Sequence, residues 1–343
     1  MKLKLLFVGK TDFRYNRVVV MLNGLKKCQN VSVEEYQIKR RNWNTHKEIK
    51  RKSKEVDFIV VPPFRHRDVA FVKLSSHAPV VFDPLISVYM TRVIDYGIKW
   101  KAPQKYLVDV LSFYWSDILI WDTRAHQKFL VEKYRLTKPM KTIYIGADTS
   151  MFFPIAKAKT EKIVVGFYGS FNPLQGIDKI IRAAHLLRDE SSIQFRIIGS
   201  GATYNEIITL SKSLKIDNVE FVGNVPYEQL NAAINDFDIC LGVFGESIKT
   251  DVVIPNKIYH YAAAKKCIIS KNTEGIKEVF EDGKNIKLVH NDPHEISGAI
   301  LALSRNENMR EKLANASYDL IAKEYNEDKI AERLSSYLRK LMP

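Results

Sequence analysis

The sequence predicts an α/β protein made of two parallel-sheet domains, on three observations. Its 343 residues correspond to two domains of roughly 150 residues each. Short apolar, β-branched runs alternate with helix-period stretches along the whole chain, the pattern of strand–helix–strand units. A polar, Pro-containing segment at 148–162 interrupts that alternation and reads as a linker. The composition, 46% hydrophobic and 27% charged, suits ordinary cores and excludes disordered, collagen-like and disulfide-scaffold classes. No stretch reaches the ~18 apolar residues of a membrane span. The opening MKLKLLFVGKTDF turns polar too soon for a signal peptide and reads as a first strand. Cys28, Cys240 and Cys267 form no CxxC and read as reduced thiols of a cytoplasmic protein.

In the first half, strands are predicted at 4–9 (KLLFVG), 31–36, 57–62, 80–82, 118–122 and 142–146 (TIYIG). Helices are predicted around 15–27, 66–76, 103–116 and 124–135. The second half reads more cleanly, with strands at 163–169 (IVVGFYG), 195–199, 219–223, 239–244 (ICLGVF), 267–270 and 286–289. Between the first two of these, Ile177, Ile180, Ile181, Ala184 and Leu187 share one helical face. Pro226 opens another helical stretch, where its missing N–H costs least. At the end of the chain Ile330, Leu334, Tyr337, Leu338 and Leu341 form a helical stripe that reads as packed on the body of the protein. The expected division is 1–153, 154–325 and a last helix at 326–343 returning to the first domain.

Charge divides the chain unevenly. The formal net charge is +14; residues 1–150 carry 28 Lys and Arg against 14 Asp and Glu, and residues 151–343 carry 25 of each. So one-sided a field favours an anionic partner on the first half. The excess gathers in KRRNWNTHKEIKRKSK (39–54), FRHR (64–67) and the aromatic-rich YMTRVIDYGIKWKAPQKY (89–106). Cations interleaved with Trp and Tyr suit an anionic membrane surface, or an acceptor carrying pyrophosphate. Basic charge alone also suits nucleic acid. No zinc-finger, RNP, KH or helix-turn-helix signature accompanies it, so no nucleic-acid partner is expected.

In open parallel sheets ligands bind at the carboxyl ends of strands. The loops there are YGSFNPLQG (168–176), GSG (199–201), GNVPYEQL (223–230) and FGESIKTDVVIPNKIYHYA (244–262). Glycines between a strand and a helix let backbone N–H groups approach a phosphate. The last loop carries Lys249 and Lys257 and ends in PNK at a helix start, an arrangement that suits a diphosphate. No metal-ligand spacing, Walker lysine or GxSxG occurs.

The stretch from Lys162 to about Tyr325 resembles the donor-binding domain of glycosyltransferase family 4, retaining enzymes of the GT-B fold. The resemblance is carried by YGSFNPLQGIDKIIRAA, FRIIGSG, VEFVGNVPYEQL, DICLGVFG, PNKIYHYAAAKKCIIS and EVFEDGKN, in that order, and by IGADTSMFFP at 145–154. It is strong from 140 to 290 and weak before 110. It implies two Rossmann-like domains with a cleft between them. It also implies transfer of a sugar from a nucleotide-sugar without a metal, the acceptor on the first domain. Carried over by position, Gly169, Ser170 and Gln175 line the diphosphate, Asn172 joins the donor-binding set, and Gly199, Ser200, Gly201 and Val225 approach the nucleoside. Phe244, Gly245, Pro255, Asn256 and Lys257 hold the sugar and phosphates.

The chain departs from the family pattern where two glutamates are usual. His260 stands in the place of the second, Val252 in that of the first, and Glu246 is at a different spacing. Ser170 and Gln175 occupy the places of the usual Arg and Lys. Lys249 and Lys257 are therefore assigned to neutralise the leaving diphosphate, no other basic residue lying in these loops. Asp83, closing the VVFD strand, is the first-domain candidate for positioning the acceptor hydroxyl or donor sugar, or else a helix cap. Gly9 lets the first loop approach the donor. The expected function is a retaining hexosyltransferase acting on a glycan or lipid-linked acceptor in cell-surface polysaccharide or glycoconjugate synthesis. UDP- or GDP-sugars lead as donors, no cofactor is expected, and the location is cytoplasmic, peripheral at the inner face of the membrane. The rivals are a degenerate, non-catalytic GT-B protein and a basic nucleic-acid or anionic-surface binder.

Overall fold

The computed structural model describes residues 2–156 and 161–342; part of the predicted linker, 157–160, lies outside the described residues. The chain divides into two units, residues 1–148 with 325–343, and residues 149–324. The first boundary therefore falls five residues before the expected one, and the segment carrying Phe152 and Phe153 belongs to the second unit.

The first unit holds β1 (Leu3–Gly9), β2 (Val31–Gln37), β3 (Phe58–Val61), β4 (Val80–Phe82), β5 (Ile118–Trp121) and β6 (Met140–Thr142). They form one parallel sheet in the order β2-β1-β3-β4-β5-β6. Every residue of β3, β4 and β5 is buried. Strands covered on both faces must be apolar throughout, which is why FIVV, VVF and ILIW show no alternation. The strand expected over 142–146 instead ends at Thr142. Its remainder is anchored at Ile143, whose N–H donates to the Trp121 carbonyl (2.8 Å) and whose carbonyl accepts from Arg17 Nη1 (2.7 Å). The basic run at 39–54 conceals a helix, Trp43–Lys52, capped by Asn42 and burying only Thr45 and Ile49. So narrow an apolar stripe gives little periodic signal.

The last helix, Glu327–Arg339, buries Ile330, Ala331, Leu334 and Leu338 in this unit's core. It lies so close to the helix Asn16–Lys27 that a Cβ on Gly24 would fall 2.0 Å from the Glu327 carbonyl oxygen. Lys27 Nζ donates to Glu327 Oε1 at 2.6 Å across the same contact.

The second unit holds β7 (Ile163–Tyr168), β8 (Ile193–Ile198), β9 (Val219–Gly223), β10 (Ile239–Leu241), β11 (Cys267–Lys271) and β12 (Lys287–Val289). Their parallel order is β12-β11-β10-β7-β8-β9. The chain moves outward from β7 to β9, then returns to the other side of β7 with β10. β7 and β10 therefore flank the point where strand order reverses, the place a doubly wound sheet opens a crevice. In the first unit the reversal lies between β1 and β3.

Candidate functional site: the loops at the strand-order reversal

In the second unit the loops after β7, β8 and β10 are joined by backbone hydrogen bonds. Gly169 N donates to Ile198 O (3.0 Å), Phe171 N to Ser200 O (2.9 Å) and Gly199 N to Gly223 O (2.7 Å). On the other side Phe244 N donates to Gln175 O (3.0 Å) and Gly245 N to Leu174 O (3.2 Å). Gly199 has φ +126°, and a Cβ there would sit 2.0 Å from the Gly169 carbonyl oxygen. Only glycine permits both that conformation and that approach.

The helix Asn256–Ala263 starts at Pro255 beside these loops and carries Lys257 in its first turn. Lys257 is 4% exposed. Its Nζ donates to Gln175 Oε1 at 2.6 Å and lies 3.6 Å from the centroid of the Phe167 ring. It would be 2.9 Å from a Cβ on Gly169, so the ammonium lies directly beside that loop. Among the described residues no carboxylate pairs with it. Burial holds its pKa well below the usual lysine value. A buried cation held by an amide oxygen and an aromatic face still lacks a counter-charge, and an anion beside Gly169 would supply it.

Further cations stand nearby that loop-by-loop reading missed. Lys271, at the end of β11, donates to the Gly245 carbonyl (3.0 Å) and pairs with Asp251 (2.7 Å). Lys179, in the first turn of the helix Ile177–Leu186, pairs with Glu246 at 2.9 Å. Lys249 and Lys257 are thus not the sole cations at this turn. Lys271 lies on a strand and Lys179 on a helix, and only the fold brings them to the loop. Lys249 itself is half-buried on the short helix Ile248–Val252, which Ser247 caps.

His260 is 2% exposed. Its ring stacks on Phe152 (centroids 3.7 Å apart, planes at 10°) and parallel to Tyr168, whose hydroxyl bonds Nδ1. Nε2 is buried without a hydrogen-bond partner among the described residues. Burial lowers its pKa to about 3, so the ring is neutral. The histidine at the glutamate's place is an uncharged member of an aromatic stack.

The remaining predicted residues separate into two groups. Ser170 and Gly201 are exposed, and Gly169, Asn172, Gly199, Ser200, Val225, Pro255 and Asn256 are half-buried in the same set of loops. Ser200 Oγ bonds Asn224 at 3.0 Å, tying the β8 loop to the edge loop that holds Val225. Asn172 Oδ1 is buried without a partner among the described residues. Two expectations need correction. The Phe244 side chain is fully buried in the unit's hydrophobic core, so this residue offers the loop its backbone alone. Asp83 is neither an exposed carboxylate nor a helix cap. It is fully buried, and Arg17 Nε donates to its Oδ2 at 2.6 Å while Arg17 Nη1 holds the Ile143 carbonyl at 2.7 Å. Burial raises its pKa and the guanidinium opposes this only in part. Gly9 packs on its own unit, a Cβ there lying 3.1 Å from Pro62.

Two doubly wound parallel sheets, one with a glycine-lined, lysine-bearing loop cluster at its reversal point, define the GT-B class. The sequence model of the glycosyl transferases group 1 matches residues 149–320, half of the chain. The chain belongs to that family. It is 25% identical over 227 residues to a probable glycosyltransferase, WbjE, of Pseudomonas aeruginosa; the match spans 60% of this chain and 55% of that relative's length. Among solved structures, HepE of Anabaena in complex with UDP and glucose superposes with a TM-score of 0.75 at 14% identity, covering 98% of this chain and 100% of that one. Sucrose-phosphate synthase of Thermosynechococcus elongatus gives 0.77 at 13% identity, covering 99% of each. At these identities the likeness is one of fold.

Proposed function

We propose that this protein transfers a hexose-type sugar, with retention of anomeric configuration, from a nucleotide-sugar to a glycan or lipid-linked acceptor. The observation that carries the reading is the buried Lys257 Nζ, which lies beside Gly169, bonds Gln175 and has no carboxylate partner among the described residues. The HepE structure, in complex with UDP and glucose, supports a uridine donor. In this reading the donor diphosphate becomes the partner that Lys257 lacks, and the leaving group's developing charge is met there. The Gly169 and Gly199 loops bring backbone N–H groups to the same anion. With the donor phosphate steering the incoming hydroxyl to the face it leaves, the protein supplies alignment and electrostatics and needs no carboxylate pair. No metal cofactor enters this scheme.

The test is a thermal-shift and calorimetric titration with UDP, GDP, ADP, TDP and CMP, without metal and then with Mg²⁺. A nucleotide at 100 times its Kd should stabilise the fold by about 2.7 kcal/mol. Lys257→Met, which keeps the side-chain length and removes the charge, should abolish that shift and lower turnover about 10²-fold. Silence from all five nucleotides would overturn the donor site and leave a degenerate member of the family.

A further inference from the structure

In the first unit, residues that follow β2, β3 and β4, together with the helix Ala102–Trp115, line a cavity of about 170 Å³. Four cations line it, Arg41, Arg65, Arg67 and Lys105, against one carboxylate, Asp68. Asp68 is 1% exposed and already engaged. It accepts from Arg41 Nε at 2.8 Å and from the Lys10 backbone N–H at 2.9 Å. Arg65 is held through Nη1 by the Lys10 carbonyl at 2.6 Å, and its Nε is buried without a partner among the described residues. Arg67 and Lys105 have no carboxylate partner among the described residues. Burial, and then repulsion by Arg67, Lys101 and Arg92, lowers the Lys105 pKa from its ordinary value. The helix His66–Ser75 begins here with no side chain capping it. The one acid therefore holds Arg41 and the Lys10 backbone, and the cavity stays strongly cationic.

We propose that this cavity receives the phosphate or pyrophosphate group of the acceptor. The proposal rests on the transferase reading and names the acceptor's chemistry. Guanidinium forks bind phosphate oxygens two at a time, and an ammonium beside them adds a point charge. Such a set is costly to hold together unless an anion occupies it. Lys105 and Val108 come from the helix Ala102–Trp115, whose Leu107 and Leu111 are exposed, so a lipid chain on the same phosphate has an apolar surface beside it.

The experiment is calorimetry of the full chain with inorganic pyrophosphate, a short-chain prenyl pyrophosphate and a hexose phosphate. It compares wild type with Arg67→Gln/Lys105→Gln. Both changes fall on side chains without carboxylate partners, and nucleotide binding by the same variant controls for folding. A weakening of at least 10-fold for an anion, with nucleotide affinity unchanged, supports the proposal. If the prenyl pyrophosphate is the anion affected, the source is lipid-linked; if the hexose phosphate, it is soluble. Equal affinities in wild type and variant, no saturable anion binding, or affinity only for bulk anionic vesicles would overturn it. That result with nucleotide binding intact would leave the donor reading standing. Loss of nucleotide binding in the wild type would remove the transferase reading itself.

Discussion

Lys257 is a residue whose burial opposes stability. The unfolded chain holds its proton up to the ordinary lysine pKa, whereas burial drives the folded-state value below it. Between those two values the unfolded state binds more protons, so this group's contribution to stability rises with pH and is unfavourable at neutrality. Lys257→Met should therefore raise the ligand-free melting temperature, by about 2–4 °C for each kcal/mol recovered, while abolishing the nucleotide-induced shift. A variant that loses both stability and binding would point to a packing role alone. His260 has the same sign on the acid side. Its folded pKa of about 3 lies below the unfolded value of 6.5, so its contribution is complete above 6.5 and is lost as pH falls toward 3. The slope is about 1.4 kcal/mol per pH unit within that window. His66, buried with a pKa of about 4, adds to the same fall. His260→Phe preserves the stack between Phe152 and Tyr168. Urea midpoints from pH 7 to pH 4 should fall less steeply in it than in the wild type.

At the scale of elements, the last helix belongs to the first unit because Gly24 lets two backbones meet. Gly24→Ala would ordinarily favour a helix by about 1 kcal/mol. Here the added methyl collides with the Glu327 carbonyl, and separating the helices uncovers Ile330, Leu334 and Leu338. A net loss of about 1–3 kcal/mol is expected, read as a lower urea midpoint with an unchanged nucleotide Kd. A stabilised variant would mean that the contact is looser than described. The same element scale separates what patterning conveys from what it conceals. Ile177, Ile180, Ile181 and Ala184 are all buried, as their spacing indicates. Trp43–Lys52 escapes notice because two buried residues in ten leave no stripe. β10 ends at Leu241, three residues short of the apolar run; Gly242 N still donates to the Ile269 carbonyl (2.8 Å) and the Val243 carbonyl accepts from Lys271 N (3.1 Å) before the Phe244–Gly245 loop begins.

For the whole molecule, the charge asymmetry acquires an address. The first unit exposes Trp100 (79%), Leu107 (54%), Leu111 (46%) and Tyr114 (54%). Lys101 lies 4.3 Å from the Trp100 ring centroid and Lys138 5.9 Å from that of Tyr114. We propose this face as the membrane contact, rings at headgroup level and cations toward anionic lipid. Vesicles with phosphatidylglycerol should bind the protein and pure phosphatidylcholine should not, binding should fall as salt rises, and Leu107→Ser/Leu111→Ser should weaken it at least 10-fold. Equal binding of the variant would refute that face.

What the residues determine unaided is local: the strand and helix periods, the glycine-bearing loops after β7 and β8, and the charge imbalance between the halves. Those signals depend on neighbours within a few positions, so an α/β pair of domains and a glycine-bearing loop cluster at the strand ends can be read directly. Charge pairing depends on neighbours that are distant in sequence, and tertiary structure alone decided it. VVFD offers Asp83 as an available carboxylate, but Arg17, 66 residues earlier, occupies it. PNK offers Lys257 as one lysine among several, but burial against Phe167 and Gln175, 82 residues away, leaves it without a carboxylate partner among the described residues. FRHR reads only as one part of a diffuse basic region that suits an anionic partner; the fold places Arg65, His66 and Arg67 in the wall of a cavity beside Asp68. A side chain's charge is written in the sequence; whether water, a carboxylate or a ligand answers that charge is settled only when distant segments pack and exclude water.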